Sequence, residues 1–270
     1  MRRALPARVG VVALVAASAA MLATAADQPA AAPPPAAASA TDFSAAERLV
    51  FMDPHLSNTR PGTTLRYGFR KSGSLEPAFD DKVAIELKPQ EDGRCCAAHG
   101  EFLSGTHRVE LPDLPEASSN PVLLYFLEHD VREMQRLTKG QQNYFRKRIR
   151  MAMYQDATVR DAGWRYRGQG ISGREVVLTP YVGDPNQHRF ERFVPKVYRF
   201  MLSSAVPGGV YGVRTEVADK AGGAPLLVEE LLIDGAEPSP GASPPAAAPA
   251  VAPAAAPAAA PAPSPVAPAR

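Results

Sequence analysis

Apolar and polar residues alternate in some stretches of the chain and recur with a helical period in others, and the two patterns come in blocks. In "TLRYGFR", Leu65, Tyr67 and Phe69 alternate with Arg66 and Arg70, and "KVAIELK" repeats the pattern with Val83, Ile85 and Leu87. Each predicts a strand with one buried face. Asp92-Gly93 predicts a tight hairpin turn, returning into "RCCAAHGEFL" and, after Gly105, "HRVEL". The period then changes. Asn120-Pro121 offers a cap and a first-turn proline for a helix to about Leu137, Lys139-Gly140 ends it, and Gln141 to about Gln155 predicts a second helix, the two forming a hairpin. Strand-like runs resume at "WRYR", "REVVLTPY", "KVYRFML", "GVYGVRTEV" and "LLVEELLI". Turns fall at Asp184-Pro185, Pro207-Gly208-Gly209 and Gly222-Gly223. Upstream, Ser44 and Glu47 have the spacing of a capping box for a short helix. This order predicts one α+β domain over residues 42–235, a largely antiparallel sheet covered by the helical hairpin.

On the first helix Leu123, Phe126, Leu127, Val131, Met134 and Leu137 share a face, and Asp130 projects from its middle. A carboxylate there costs several kcal/mol unless it is paired or protonated. Arg148, at the border of the facing helix's apolar stripe (Phe145, Ile149, Ala152, Met153), is the expected partner in a buried ion pair fixing the hairpin's register. Glu128 with Arg132, and His129 with Glu133, have the spacing of surface pairs. Arg146, Lys147 and Arg150 lie together on the second helix's polar side. That placement suits a solvated face, and equally a contact with anionic lipid headgroups or another anionic envelope component.

The chain ends set the context. Arg2, Arg3 and Arg8 precede the uncharged apolar run Val9–Met21, and "LATAAD" follows with small residues. This is the pattern of a secretory signal peptide (residues 1–26) cleaved near Ala25 or Ala26, which predicts a periplasmic or secreted protein rather than an integral membrane one. The chain has 30 Lys+Arg against 28 Asp+Glu; without the three leader arginines the balance is 27 to 28, so nothing favours nucleic acid. Residues 27–41 are an Ala/Pro-rich linker, and 236–270 are a Pro/Ala-rich tail. Proline removes backbone donors and alanine has little surface to bury, so both ends are expected to be disordered, extended spacers.

Candidate chemistry is sparse. "GQGISG" fits G-x-G-x-x-G, but β-rich "REVVLTPY" follows where a nucleotide loop needs a helix, so a hairpin turn explains the glycines. The only cysteines, Cys95 and Cys96, are adjacent. Neighbouring Cα atoms lie about 3.8 Å apart, short for a disulfide, and strand geometry points the two side chains to opposite faces. One buried residue and one semi-exposed thiol are expected, with a redox or intermolecular role as the sharper alternative. Cys-Cys-x-x-His is no standard zinc spacing, so neither metal nor cofactor is expected.

The segments "NPVLLYFLEHDVREMQRLTKGQQNYFRKRIR" and "PKVYRFMLSSAVPGGVYGV" resemble a family of uncharacterised exported proteins of Gram-negative bacteria. A looser likeness, through export, element order and apolar strands, is to periplasmic half-barrels of the lipoprotein-carrier type. That likeness implies a curved sheet enclosing an apolar cavity beneath helices. The resulting expectation is a non-enzymatic envelope protein holding a lipid or other amphiphile between sheet and hairpin, lined by Trp164, Tyr166, Tyr198, Phe200 and Leu202. The same five residues would serve as plain core. The alternative is a structural or assembly module that docks an envelope protein partner, with the Pro/Ala tail as spacer; a hydrolase comes third. An enclosed cavity would favour the first reading, and a filled core with an exposed apolar patch the second.

Overall fold

The alternating stretches pair as expected and extend well beyond their apolar cores. The computed structural model describes residues 43–93 and 95–238. The leader, the 27–41 linker and the tail beyond Pro238 lie outside the described residues. A short helix α1 (Ala45–Glu47), with the Ser44/Glu47 capping box formed, runs into a π turn over Arg48–Met52. Next come β1 (Thr64–Ser72), β2 (Phe79–Pro89) and β3 (Cys95–Phe102), then helices α2 (Val122–Thr138) and α3 (Gln142–Gln155). The chain closes with β4 (Thr158–Tyr166), β5 (Gln169–Leu178), β6 (Lys196–Leu202), β7 (Val210–Val217) and β8 (Leu227–Ile233).

The eight strands form one open, curved antiparallel sheet in the order β3-β2-β1-β8-β7-β6-β5-β4. Two meanders, β1–β3 and β4–β8, are joined through β1 and β8 in the register Tyr67↔Ile233 to Ser72↔Val228. One face carries Tyr67, Phe69 and Lys71 of β1, opposite Ile233, Leu231 and Glu229 of β8; it continues through Val213 and Thr215 of β7 to Phe200 and Tyr198 of β6. The helical hairpin covers this face. It is an α+β half-barrel, as the element order predicts.

Local chemistry accounts for the punctuation. The Asn120 side chain accepts from the Val122 N–H and caps α2. Lys139 ends the helix in the left-handed conformation (φ 59°). Arg167 and Gly168 both have positive φ (50° and 77°) and make the two-residue β4–β5 turn. The rest of the glycine run belongs to β5 rather than to a loop. Gly173 is required there, because a Cβ would run into the Leu202 carbonyl. Cys95 and Cys96 correct the expectation of free thiols: they are joined in a vicinal disulfide across a cis peptide bond. The β2–β3 register slips between Lys88 and Pro89, where Pro89 opposes Cys95, so strict alternation of faces does not hold at this point.

Candidate functional site: an apolar groove on the helical hairpin

Beneath α2, the sheet face is filled. Tyr198 and Phe200 are wholly buried, Leu202 and Tyr166 nearly so, and Trp164 is half-buried with its ring stacked 5.2 Å from that of Tyr211. Phe126, Met134, Phe145 and Ile149 of the hairpin pack into the same core. Of the five residues suggested as ligand-lining, Leu202 borders a cleft, which lies at the rim beside the segment Leu49–Asn58.

The buried ion pair is corrected. Asp130 is fully buried, but its partner is Lys196 of β6, and it also accepts a hydrogen bond from the Tyr198 hydroxyl (2.7 Å). Arg148 instead pairs with Asp184 (2.7 Å) and donates to the Pro180 carbonyl (3.2 Å), outside the hairpin. The physical reason is direction: Asp130 points at the sheet, whereas the border position of Arg148 points past it. Lys196 shares strand parity with Tyr198, Phe200 and Leu202, and that parity is the signal that could have found it.

His129 is corrected as well. It is buried and lies 3.4 Å from Glu229, while Glu133 bonds Lys71 (2.8 Å) and Arg136. The surface pair Glu128–Arg132 is present at 3.0 Å. These buried charges are fully used in holding α2 to β1, β6 and β8.

The cleft beside Leu49–Asn58, about 730 Å³, contains His55. Its Nε2 lies 2.8 Å from the Leu49 carbonyl, and its Nδ1 accepts from the Asn120 N–H (3.3 Å) and faces the Ser119 hydroxyl (3.0 Å). Burial lowers its pKa despite the Leu49 bond and the Asp53 charge, so the ring is neutral. With both nitrogens engaged, it acts as a tie between chain segments.

The feature that packing does not explain lies on the other side of the hairpin. A groove of about 640 Å³ runs between the N-terminal segment, the loop at Leu111–Leu114 and the outer side of α2 and α3. Leu124, Leu127 and Val131 recur along α2 at helical spacing and form its floor with Ile149 of α3. This gives α2 a second apolar face besides the one on the sheet. Leu124, Phe43 and Met52 remain 52%, 51% and 46% exposed, an adjacent set that monomeric surfaces seldom leave open.

Cations edge the groove. Arg146 reaches both oxygens of Glu128 (2.9 Å each), and Arg132 shares that carboxylate. Arg150 borders the groove without an ion pair to any described residue, and Lys147, exposed on the same helix, likewise has none. Arg146 and Arg150, singled out by charge pattern, therefore meet the groove. The apolar floor is less visible in sequence, because Leu124 and Met52 read as ordinary members of amphipathic segments.

No family model and no curated protein matches the chain. Among solved structures it is similar to the Mycobacterium tuberculosis lipoprotein LppX, at 10% identity over 73% of this chain and 96% of that one, with a TM-score of 0.29. It is also similar to a chain of the Pseudomonas aeruginosa MucA/MucB complex, at 10% identity over 68% of this chain and 54% of that one, with a TM-score of 0.28. The chain thus spans about half the length of the latter. Likeness at this level leaves the site to its own geometry. Among the described residues no helix is long and apolar enough to cross a membrane, and no cluster of His, Cys, Asp or Glu is arranged to hold a metal.

Proposed function

We propose that the protein is a non-enzymatic, exported envelope protein that binds an amphiphile with an anionic head in the groove on the outer side of the hairpin. The apolar part would lie on Leu124, Leu127 and Ile149, and the head would meet Arg150, with Lys147 nearby. The observation that carries this reading is an open apolar floor beside a guanidinium without an ion-pair partner. A volume of about 640 Å³ falls within the range of small-molecule sites. The filled sheet face moves the expected site from beneath the hairpin to above it.

Calorimetric titration with oleate, and with uncharged monoolein, tests the reading. Oleate should bind, Leu124→Asp should abolish binding of both probes, and Arg150→Glu should weaken oleate about tenfold or more while leaving monoolein unchanged. Binding of neither probe, or oleate binding indifferent to Leu124→Asp, overturns the proposal. A second reading is favoured by the groove's open side: an amphipathic helix of an envelope protein could lie in it, with the Pro/Ala tail as spacer. In that case crosslinks from Leu124 would capture protein rather than lipid.

A further inference from the structure

β4 is an edge strand, and its register with the chain that follows β8 is already set. Tyr166 and Gln169 flank the two-residue turn as a paired couple, so even-numbered residues of β4 direct their backbone groups to β5. Odd-numbered residues, Val159, Asp161, Gly163 and Arg165, direct theirs to the free edge. Beyond β8 the chain crosses to that edge: Tyr166 bridges Ala236 antiparallel, Arg167 N–H donates to the Gly235 carbonyl (2.7 Å), and Glu237 N–H donates to the Arg165 carbonyl (3.2 Å). An ion pair from Arg165 to Glu237 (3.1 Å) and the Tyr211 hydroxyl, within 2.9 Å of the Arg165 carbonyl and 2.8 Å of the Glu237 carbonyl, hold this first rung. Among the described residues, the backbone groups of Val159, Asp161 and Gly163 on this edge have no partner.

We propose that residues 239–244 of the same chain continue this rung as a ninth strand along the whole free edge of β4. Extending the register sets Ser239 opposite Gly163, Gly241 opposite Asp161, Ser243 opposite Val159 and Pro244 opposite Thr158, the first residue of β4. The residues that must donate to β4 are therefore 237, 239, 241 and 243: Glu, Ser, Gly and Ser. Pro238, Pro240 and Pro244 fall at the intervening positions, where the backbone nitrogen faces solvent and proline is tolerated on an edge strand. Glu237, Ser239 and Ser243 each precede a proline, which restricts them to extended backbone. Pro245 is the first proline at a donor position, and it comes one residue past the end of β4. The "EPSPGASPP" stretch is thus patterned as an edge cover, and the Pro/Ala spacer begins after it.

Hydrogen exchange followed by NMR on the mature chain, compared with a chain ending at Pro238, tests this. The amides of Val159, Asp161 and Gly163 should exchange about tenfold more slowly in the full chain, as a hydrogen bond of ordinary net strength requires. Ser239→Pro with Gly241→Pro should abolish the difference, and Ala242→Pro, at a solvent-facing position, should preserve it. Equal exchange in the full and shortened chains overturns the proposal. So does loss of protection in Ala242→Pro, which would deny the register. Protection that rises with protein concentration also overturns it, in favour of a strand from a second copy.

Discussion

Asp130 sits fully buried on α2, with Lys196 on one carboxylate oxygen and the Tyr198 hydroxyl on the other. Tyr198 is in turn 3.0 Å from the Tyr181 hydroxyl. Burial, and then the Asp130 charge, push both phenols well above their ordinary pKa, so both stay protonated and able to donate. Removing one member of such a set strands the others in a medium that cannot solvate them. Asp130→Ala should therefore cost about 3–5 kcal/mol in urea denaturation, while Asp130→Leu combined with Lys196→Met should recover most of it. A cost for Asp130→Ala below about 1 kcal/mol would mean that the ammonium has another partner or reaches water. Helix periodicity alone identifies Asp130 as a buried charge in need of a cation. It cannot choose the cation, because the choice depends on which strand lies beneath that turn of the helix, and this follows from sheet order.

At the level of elements, α2 is pinned to the sheet by carboxylates that ionise unusually easily. Burial by itself raises the Glu133 carboxyl, but hydrogen bonds from Arg136 and Lys71 and the charge of Lys71 outweigh it and hold the group at about 2. Glu229 follows the same course: burial raises it, and His129 with the charges of Lys196 and Lys71 brings it to about 2. Both lie below the ordinary 4.5, so the unfolded chain takes up protons first as pH falls. Their stabilisation is complete above about pH 4.5 and is lost between there and about pH 2. Each group adds a slope of up to about 1.4 kcal/mol per pH unit in that window. Glu133→Gln should lose stability less steeply over the same range, whatever its level at neutral pH; an unchanged slope would show that Glu133 titrates alike folded and unfolded. The hairpin itself was legible, because Asn120, Lys139 and Gly140 act locally. The charged residues under it were legible only through strand parity, since Lys71 continues the face of Tyr67 and Phe69, and Glu229 that of Leu227 and Leu231. The second apolar face of α2 was not, because a wide apolar sector on a helix does not say how much of it the fold covers.

For the whole molecule, the deciding contact is the one between β1 and β8, which joins residues near the two ends of the domain. It unites a three-strand meander with a five-strand one, and α2 bridges the same seam by reaching Lys71 on β1, Glu229 on β8 and Lys196 on β6. No local pattern announces that pairing: "LLVEELLI" reads as a strand, but the strand beside it is decided by how the meanders curl around the hairpin. Because the buried charges of each half are satisfied only by the other half or by α2, neither half has a stable state of its own, and unfolding should be a single transition. The molecule carries a reporter for this. Trp164, the only tryptophan, is in β4 and stacks on Tyr211 of β7, so its fluorescence follows the five-strand half alone, while far-ultraviolet circular dichroism averages over all strands and helices. The two urea midpoints should coincide. A tryptophan transition displaced from the dichroism transition would mean that β4–β8 folds without β1–β3, and that the charges across the seam follow folding rather than enforce it.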